Sequence, residues 1–357
     1  MQIRARTAVR ARAHPIVIGH RGASGHRPEH TLGSYWLAIQ QGADFIEPDL
    51  VSTKDGVLVA RHENEISGTT DVGDHPEFAD RRTTKLVDDR STSGFFSEDF
   101  TLAELKTLRA TERLPDLRPA NAAYDRMYTV PTLDEVIALA QLGSRLQQRE
   151  IGIYPETKHP SYFDAIGLAL EEPLVRSLHR HGYRGPNARV FIQSFEVANL
   201  EQLRQITRLP LVQLIATSGR PYDFTVAGHA RGYADLTTPD GLAEIARYAA
   251  GVGVDKGLII PRSADEQLVA PTTLIDDAHA AGLMVHAWTF RRENTFLPAD
   301  FRHGDPSSPN FAALTGDLRA ECSRFFELGL DGLFSDNPKL AVAARDAFVA
   351  RTRRNST

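Results

Sequence analysis

IVIGHRGASGHRPEHTLGSYWLAIQQGADFIEPDLV, residues 16–51, reads as one strand–helix–strand unit. Ile16–Gly19 is a short apolar run that ends on the polar pair His20 and Arg21. Thr31–Gln41 places Leu32, Tyr35, Trp36 and Ile39 on one face, the 3.6-residue period of an amphipathic helix. Phe45–Val51 returns to an apolar strand, now carrying Glu47 and Asp49. Two strands joined by a helical crossover can lie parallel in one sheet.

The same alternation continues almost to the end of the chain. Further strand candidates are Ile151–Pro155, Arg189–Gln193, Leu211–Ala216, Gly257–Ile260, Met284–Thr289 and Gly332–Ser335, which makes eight in all. Thr132–Leu142 follows Pro131 with Thr132 as N-cap and Glu135 three residues on, a capping box. Thr272–Ala281 is a helix that ends at Gly282. Eight βα repeats predict an α/β fold, a (β/α)₈ TIM barrel, typically about 250 residues long. The alternative, an open doubly wound sheet, lacks a Gly-rich phosphate loop after the first strand.

One stretch breaks the rhythm. From Glu63 to Val130 the chain is polar, with one clear helix, Leu102–Leu108. It is expected to be an insertion after the second strand, above the barrel mouth, where βα loops carry function. The expected organisation is an N-terminal extension over 1–14 and a single domain over 15–350.

Composition excludes several classes. The chain of 357 residues is 41% hydrophobic and 24% charged, ordinary for a globular protein. Its formal charge of −5 gives no basic footprint for a nucleic-acid partner. No run approaches the roughly 18 apolar residues of a membrane span. A single cysteine, Cys322, removes disulfide frameworks and cysteine-based zinc sites. Met1–Ala13 carry four arginines without an apolar core, so they do not form a secretory signal.

Catalytic groups of a βα barrel stand at the C-terminal ends of its strands. Polar residues recur at those ends here: His20 and Arg21, Glu47 and Asp49, Glu156 and Lys158, Gln193, Trp288 and Asp336. His62 follows the hairpin-like run Val57–Arg61. Glu47 and Asp49, two apart, face one side of a strand and can share an ion with Glu156. Oxygen-only ligation favours Ca²⁺ or Mg²⁺ over Zn²⁺. Arg21 can fork onto phosphate oxygens and Lys158 can add a point charge. His20 and His62 can divide acid and base roles near neutral pH. His14, His26, His30, His159 and His303 are expected to be structural or exposed. Asp336 is expected at the pocket rim or as a helix cap.

These residues resemble a known family. Ile18–Ala23, Pro28-Glu29-His30-Thr31, Gly42–Leu50, Lys54-Asp55-Gly56, Arg61-His62, Pro131–Glu135, Ile153–Lys158, Gln193-Ser194-Phe195 and Gly332–Pro338 are similar to the motifs of glycerophosphodiester phosphodiesterases. The resemblance spans about residues 15–345 and implies a barrel that hydrolyses a glycerophosphodiester to an alcohol and sn-glycerol 3-phosphate. It implies His20 and His62 as the acid/base pair, and Glu47, Asp49 and Glu156 as ligands of one divalent cation, Ca²⁺ before Mg²⁺. Arg21, Lys158, Gln193 and Trp288 become substrate contacts, with Trp288 walling the glycerol pocket, and Glu29 orients the groups around them. The Pro-Glu-His-Thr and Tyr-Pro-Glu forms resemble a branch with periplasmic, calcium-preferring enzymes, which implies an extracytoplasmic location. Glu63 departs from the family, which usually has Asp after the second histidine, so the partner of His62 is open.

Two other functions fit the same residues. A phospholipase D-like enzyme would cleave lysophospholipids and needs an apolar groove, for which Phe95, Phe96 and Phe100 are candidates, although a small satellite core also explains them. A non-catalytic barrel binding protein would have lost an acid/base residue or a ligand, and none is missing here.

Overall fold

A computed structural model describes residues 14–355. The N-terminal extension expected over 1–14 therefore lies, except for His14, outside the described residues. The strands are β1 (Ile16–His20), β2 (Phe45–Glu47), β3 (Asp49–Ser52), β4 (Leu58–Ala60), β5 (Thr83–Val87), β6 (Arg90–Gly94), β7 (Gly152–Ile153), β8 (Glu156–Thr157), β9 (Ile192–Ser194), β10 (Leu211–Ile215), β11 (Gly251–Asp255), β12 (Met284–Phe290) and β13 (Gly332–Ser335).

The stretches expected as the second and third strands are each interrupted, at Pro48 and around Pro155, because proline has no N–H to give to a ladder. The two broken stretches still run side by side: β2 pairs with β7 and β3 with β8. Counted as one strand each, they close the sheet. β1 pairs with both β2 and β13, and the order continues through β8, β9, β10, β11, β12 and β13. Every pairing around this ring is parallel; β4 lies antiparallel on β3 as an added hairpin arm. The architecture is the expected α/β barrel.

The sixth strand is a correction. Gly257–Ile260 was expected to form it, but Gly251–Asp255 does. Two glycines hide this strand from any apolar pattern, yet both sites are crowded: a Cβ on Gly251 would lie 2.8 Å from the Met284 backbone oxygen, and one on Gly253 would lie 2.6 Å from Leu214 Cδ2. Lys256–Leu258 is instead a single 3₁₀ turn, and Ile259 and Ile260 are buried in the outer core.

Two apolar layers support the site. Inside the barrel, Ile16, Ile18, Phe45, Tyr154, Phe191, Val212 and Phe334 form a plug beneath the mouth. Tyr154 packs edge-on to Phe334 at 4.9 Å and its hydroxyl lies 2.7 Å from His286 Nδ1. Outward-facing strand residues such as Val17, Ile46, Val252 and Val285 meet the helices. Helix Leu32–Gln40 is capped by the Thr31 side chain, and Leu133–Gln147 carries the full Thr132/Glu135 capping box. Helix Leu274–Ala280 ends before Gly282, whose φ of +83° turns the chain.

Residues 63–130 hold the β5–β6 hairpin, short 3₁₀ turns and the helices Leu102–Leu105 and Pro119–Ala122. Phe95, Phe96 and Phe100 are buried there, and Phe100 packs edge-on to Phe78 at 5.1 Å. Phe78, Phe95 and Phe100 are continuous with the main core, and none of Phe95, Phe96 and Phe100 stands exposed as a groove wall. Among the described residues no helix is long and apolar enough to cross a membrane.

Candidate active site

The strand ends converge. His20, Arg21, Glu47, His62, Glu156, Lys158, Gln193 and Trp288 all line one cavity of about 220 Å³ at the C-terminal mouth. Asp49 and Glu29 sit just behind its wall, both buried.

Glu47, Asp49 and Glu156 each offer a carboxylate oxygen within 4.8 Å of the other two. Each is aimed by neighbours. Glu47 accepts from the Arg21 backbone N–H (3.0 Å) and from Gln193 Nε2 (2.8 Å). The first of these bonds depends on Arg21 adopting a left-handed φ of +58°, a conformation that costs about 1–3 kcal/mol and recurs at functional sites. Asp49 Oδ2 lies 3.0 Å from His30 Nε2 and 3.3 Å from Arg21 Nε, while its buried Oδ1 meets no hydrogen-bond donor. Glu156 lies 3.1 Å from Lys158 Nζ.

Burial and the charge of Asp49 push Glu47 well above the usual carboxylate range. Burial and Asp49 also lift Glu156 to about 7, against the pull of Lys158. Burial opposes the charge of Asp49 too, but the His30 hydrogen bond and Arg21 hold it well below that range. Three crowded carboxylates, two reluctant to ionise and one with an unsatisfied buried oxygen, fit a hard divalent cation, whose charge would relieve all three at once.

Each histidine of the expected pair has its own carboxylate. His20 Nδ1 lies 2.6 Å from Asp336 Oδ1, and His62 Nδ1 lies 2.9 Å from Glu63 Oε1. Burial, with Arg21 beside it, lowers His20 to about 4. Burial, then Arg21 and Lys158, lowers His62 to about 3. Both rings are therefore neutral, with Nδ1–H donating to the carboxylate and Nε2 left as the basic nitrogen. His20 Nε2 is 3.9 Å from Glu47 Oε2, within the cation cradle's reach.

The remaining expected residues hold as well as line. Gln193, read as a substrate contact, gives its amide to Glu47. Glu29 accepts from Arg21 Nη1 (3.2 Å) and Arg113 Nε (2.8 Å). Trp288 donates from Nε1 to Gly253 O (3.0 Å) and packs edge-on to Phe195 at 5.8 Å. His30, expected to be structural or exposed, is fully buried, donating to Asp49 and accepting from the Tyr35 hydroxyl at 2.7 Å. His159 is also enclosed, between Glu63 (2.8 Å) and Asp88 (2.6 Å).

Some site residues carried no sequence signal. Arg118, from the irregular segment, reaches Asp336 (2.6 Å) and Glu293 (2.9 Å), and Arg291 reaches Asp336 at 3.0 Å. Asp336 is thus the buried anchor of His20, not a rim or cap residue. Asp255 and Lys256 line the cavity at the end of the misplaced sixth strand.

His159 makes a pH test. Burial works against its charge, but hydrogen bonds to Asp88 and Glu63 raise it to about 9. A raised histidine stabilises the fold fully below its ordinary 6.5 and loses that contribution as pH rises through about 9. Thermal melts should therefore show the stability gap between wild type and His159→Gln narrowing between pH 6.5 and 9.5. A constant gap would contradict the charged clamp.

A cation cradle, two carboxylate-held imidazoles and two buried cations at a parallel barrel's mouth define an enzyme site for an anionic ester. Comparison with known proteins agrees. Residues 20–340 match the glycerophosphoryl diester phosphodiesterase family. An Arabidopsis thaliana glycerophosphodiester phosphodiesterase is 37% identical over 336 residues, covering 90% of this chain and 83% of its own. A Haemophilus influenzae glycerophosphodiester phosphodiesterase is 29% identical, covering 78% of this chain and 79% of its own. In fold, the chain is similar to an Oleispira antarctica phosphodiesterase solved with the product sn-glycerol-3-phosphate (TM-score 0.56, 20% identity, 93% and 97% covered). The chain belongs to the glycerophosphoryl diester phosphodiesterase family, and it is an enzyme of that class.

Proposed function

We propose that the enzyme hydrolyses glycerophosphodiesters to an alcohol and sn-glycerol 3-phosphate, with His20 and His62 as the acid/base pair. The observation that carries this reading is the meeting of both imidazoles with Glu47, Asp49 and Glu156 around one cavity. Relatives named for this activity, and one solved with that product, support it.

Glu47, Asp49 and Glu156 would hold one divalent cation. Three carboxylates suit Ca²⁺ better than Mg²⁺, which keeps more of its water and takes one or two. When bound, the cation stabilises negative charge developing on the phosphoryl oxygens. Lys158, raised above its ordinary range by Glu156 and Asp49 despite burial, keeps its proton in the cavity wall and adds to that stabilisation with Arg21. One imidazole takes a proton from the attacking water as its oxygen bonds to phosphorus. The other, protonated, gives its proton to the alcohol oxygen as the old P–O bond breaks. The charge of the bound diester favours that protonation, opposing Arg21 and Lys158. Trp288 and Phe195 supply the apolar wall for the glycerol carbons.

We read 15–350 as one domain, with 63–130 as an insertion over the mouth, and place the enzyme outside the cytoplasm on the likeness of its Pro-Glu-His-Thr and Tyr-Pro-Glu motifs to the branch with periplasmic enzymes. The function is tested by glycerol 3-phosphate release from glycerophosphocholine, in chelator and then with Ca²⁺ or Mg²⁺ restored. Release should vanish in chelator and return best with Ca²⁺. No release with any cation would overturn the reading.

A further inference from the structure

The His62–Glu63 pair does not end at Glu63. Glu63 Oε1 lies 2.9 Å from His62 Nδ1, while its Oε2 lies 2.8 Å from His159 Nε2. His159 Nδ1 continues to Asp88 Oδ2 at 2.6 Å. The chain His62–Glu63–His159–Asp88 runs from the catalytic cavity along the wall of a larger chamber of about 850 Å³, which shares His62, Glu156, Lys158 and Phe195 with it.

The backbone at both far members is unusual. His159 sits at a φ of +49°, directly before helix Pro160–Ala165. Asp88 and Asp89 form the two-residue turn between β5 and β6, since Val87 pairs with Arg90, and their φ values are +47° and +61°. A turn with both central residues at positive φ favours Asn-Gly or Asp-Gly, so two aspartates are not what the turn itself selects. Their side chains part ways. Asp88 meets His159, whereas Asp89 accepts from the Tyr222 hydroxyl at 3.3 Å.

We propose that His159 and Asp88 are positioning residues: they hold Glu63 in the one orientation that fixes His62 as the Nδ1–H tautomer, with Nε2 toward the substrate. The inference rests on the proposed function for its catalytic consequence, but not for its geometry. With both ring nitrogens donating to carboxylates, His159 is an imidazolium, consistent with its raised pKa of about 9. It faces Glu63, Asp88 and Lys158; His62 faces Glu63, Asp49, Arg21 and Lys158. Without His159, one Glu63 oxygen loses its tether and the flexible side chain no longer selects a single ring orientation. Small misplacements of a catalytic group lower turnover steeply.

The turn supplies a matched pair of variants. Asp88→Gly and Asp89→Gly both suit the positive φ, so the hairpin folds in each, and only the first breaks the relay. Asp88→Gly and His159→Ala should lower kcat for glycerophosphocholine about tenfold or more, with KM within about twofold, because the lost interaction orients a reacting group instead of binding substrate. Asp89→Gly should keep wild-type kcat and KM. The double variant Asp88→Gly/Glu63→Gln should be no slower than the slower single one. Separately from turnover, ¹⁵N shifts of the His62 ring should report one Nδ1–H tautomer in the wild type and a mixture in Asp88→Gly and His159→Ala. Wild-type kcat in the relay variants, an equal loss in Asp89→Gly, or an unchanged His62 tautomer would each overturn the relay. An inactive wild type with the expected tautomer shift would overturn the proposed function and leave the relay standing.

Discussion

Replacing His62 with alanine is expected to lower kcat for glycerophosphocholine about 10²–10⁴-fold, the range that one positioned acid or base contributes. The fold should hardly notice. The His62 side chain is 29% exposed and its hydrogen-bond partner is Glu63, which keeps His159. A loss of about 1 kcal/mol, ordinary for a single substitution, is expected. His20→Ala should cost a similar factor in rate but more in stability, because its ring is buried and is one of three hydrogen-bonding partners of the buried Asp336, with Arg118 and Arg291. Parallel measurements of kcat, KM and melting temperature separate the two variants. Wild-type turnover in both would remove the acid/base assignment.

Removing the cation is the second large effect. In chelator, burial and the charge of Asp49 hold Glu47 well above the usual carboxylate range and Glu156 near 7, so the empty cradle resists carrying its full negative charge. Adding Ca²⁺ should raise the melting temperature as well as restore hydrolysis, since a ligand at 100 times its Kd stabilises the native state by about 2.7 kcal/mol. Glu47→Gln gives a two-sided test. Burial and the charge of Asp49 already disfavour its ionised form, so the substitution should cost less stability in chelator than with Ca²⁺ present. It should nevertheless abolish the Ca²⁺-dependent rise and most of the activity. A Glu47→Gln protein that still gains stability from Ca²⁺ would place the cation elsewhere.

Arg118 shows how much of the site lies beyond any pattern. Its segment has no strand or helix period, and its value to the site is a guanidinium delivered across 218 residues of chain to Asp336. Asp336 itself was visible as a polar residue after the last strand, but its two readings, rim or cap, were both wrong. What distinguishes it is burial among His20, Arg118 and Arg291, a property of assembled neighbours. His159, expected to be structural or exposed, hides its role for the same reason: its carboxylates, Glu63 and Asp88, are 96 and 71 residues away in sequence. The sixth strand failed differently. Its two glycines are there because the Met284 backbone oxygen leaves no room for a Cβ at Gly251 and Leu214 crowds one at Gly253, and crowding of that kind leaves no apolar signature.

By itself the sequence determined the parallel βα repeat, the capped helices and the strand ends at which His20, Glu47, Asp49 and Glu156 stand. Those features are local: hydrophobic period, capping side chains and turn residues act within a few positions of one another. Only the tertiary structure decided which carboxylate each imidazole meets, that Gln193 serves Glu47, and that the β5–β6 turn touches His159. Each of these depends on burial and on contacts between residues far apart in the chain, and those come into being only when the barrel closes.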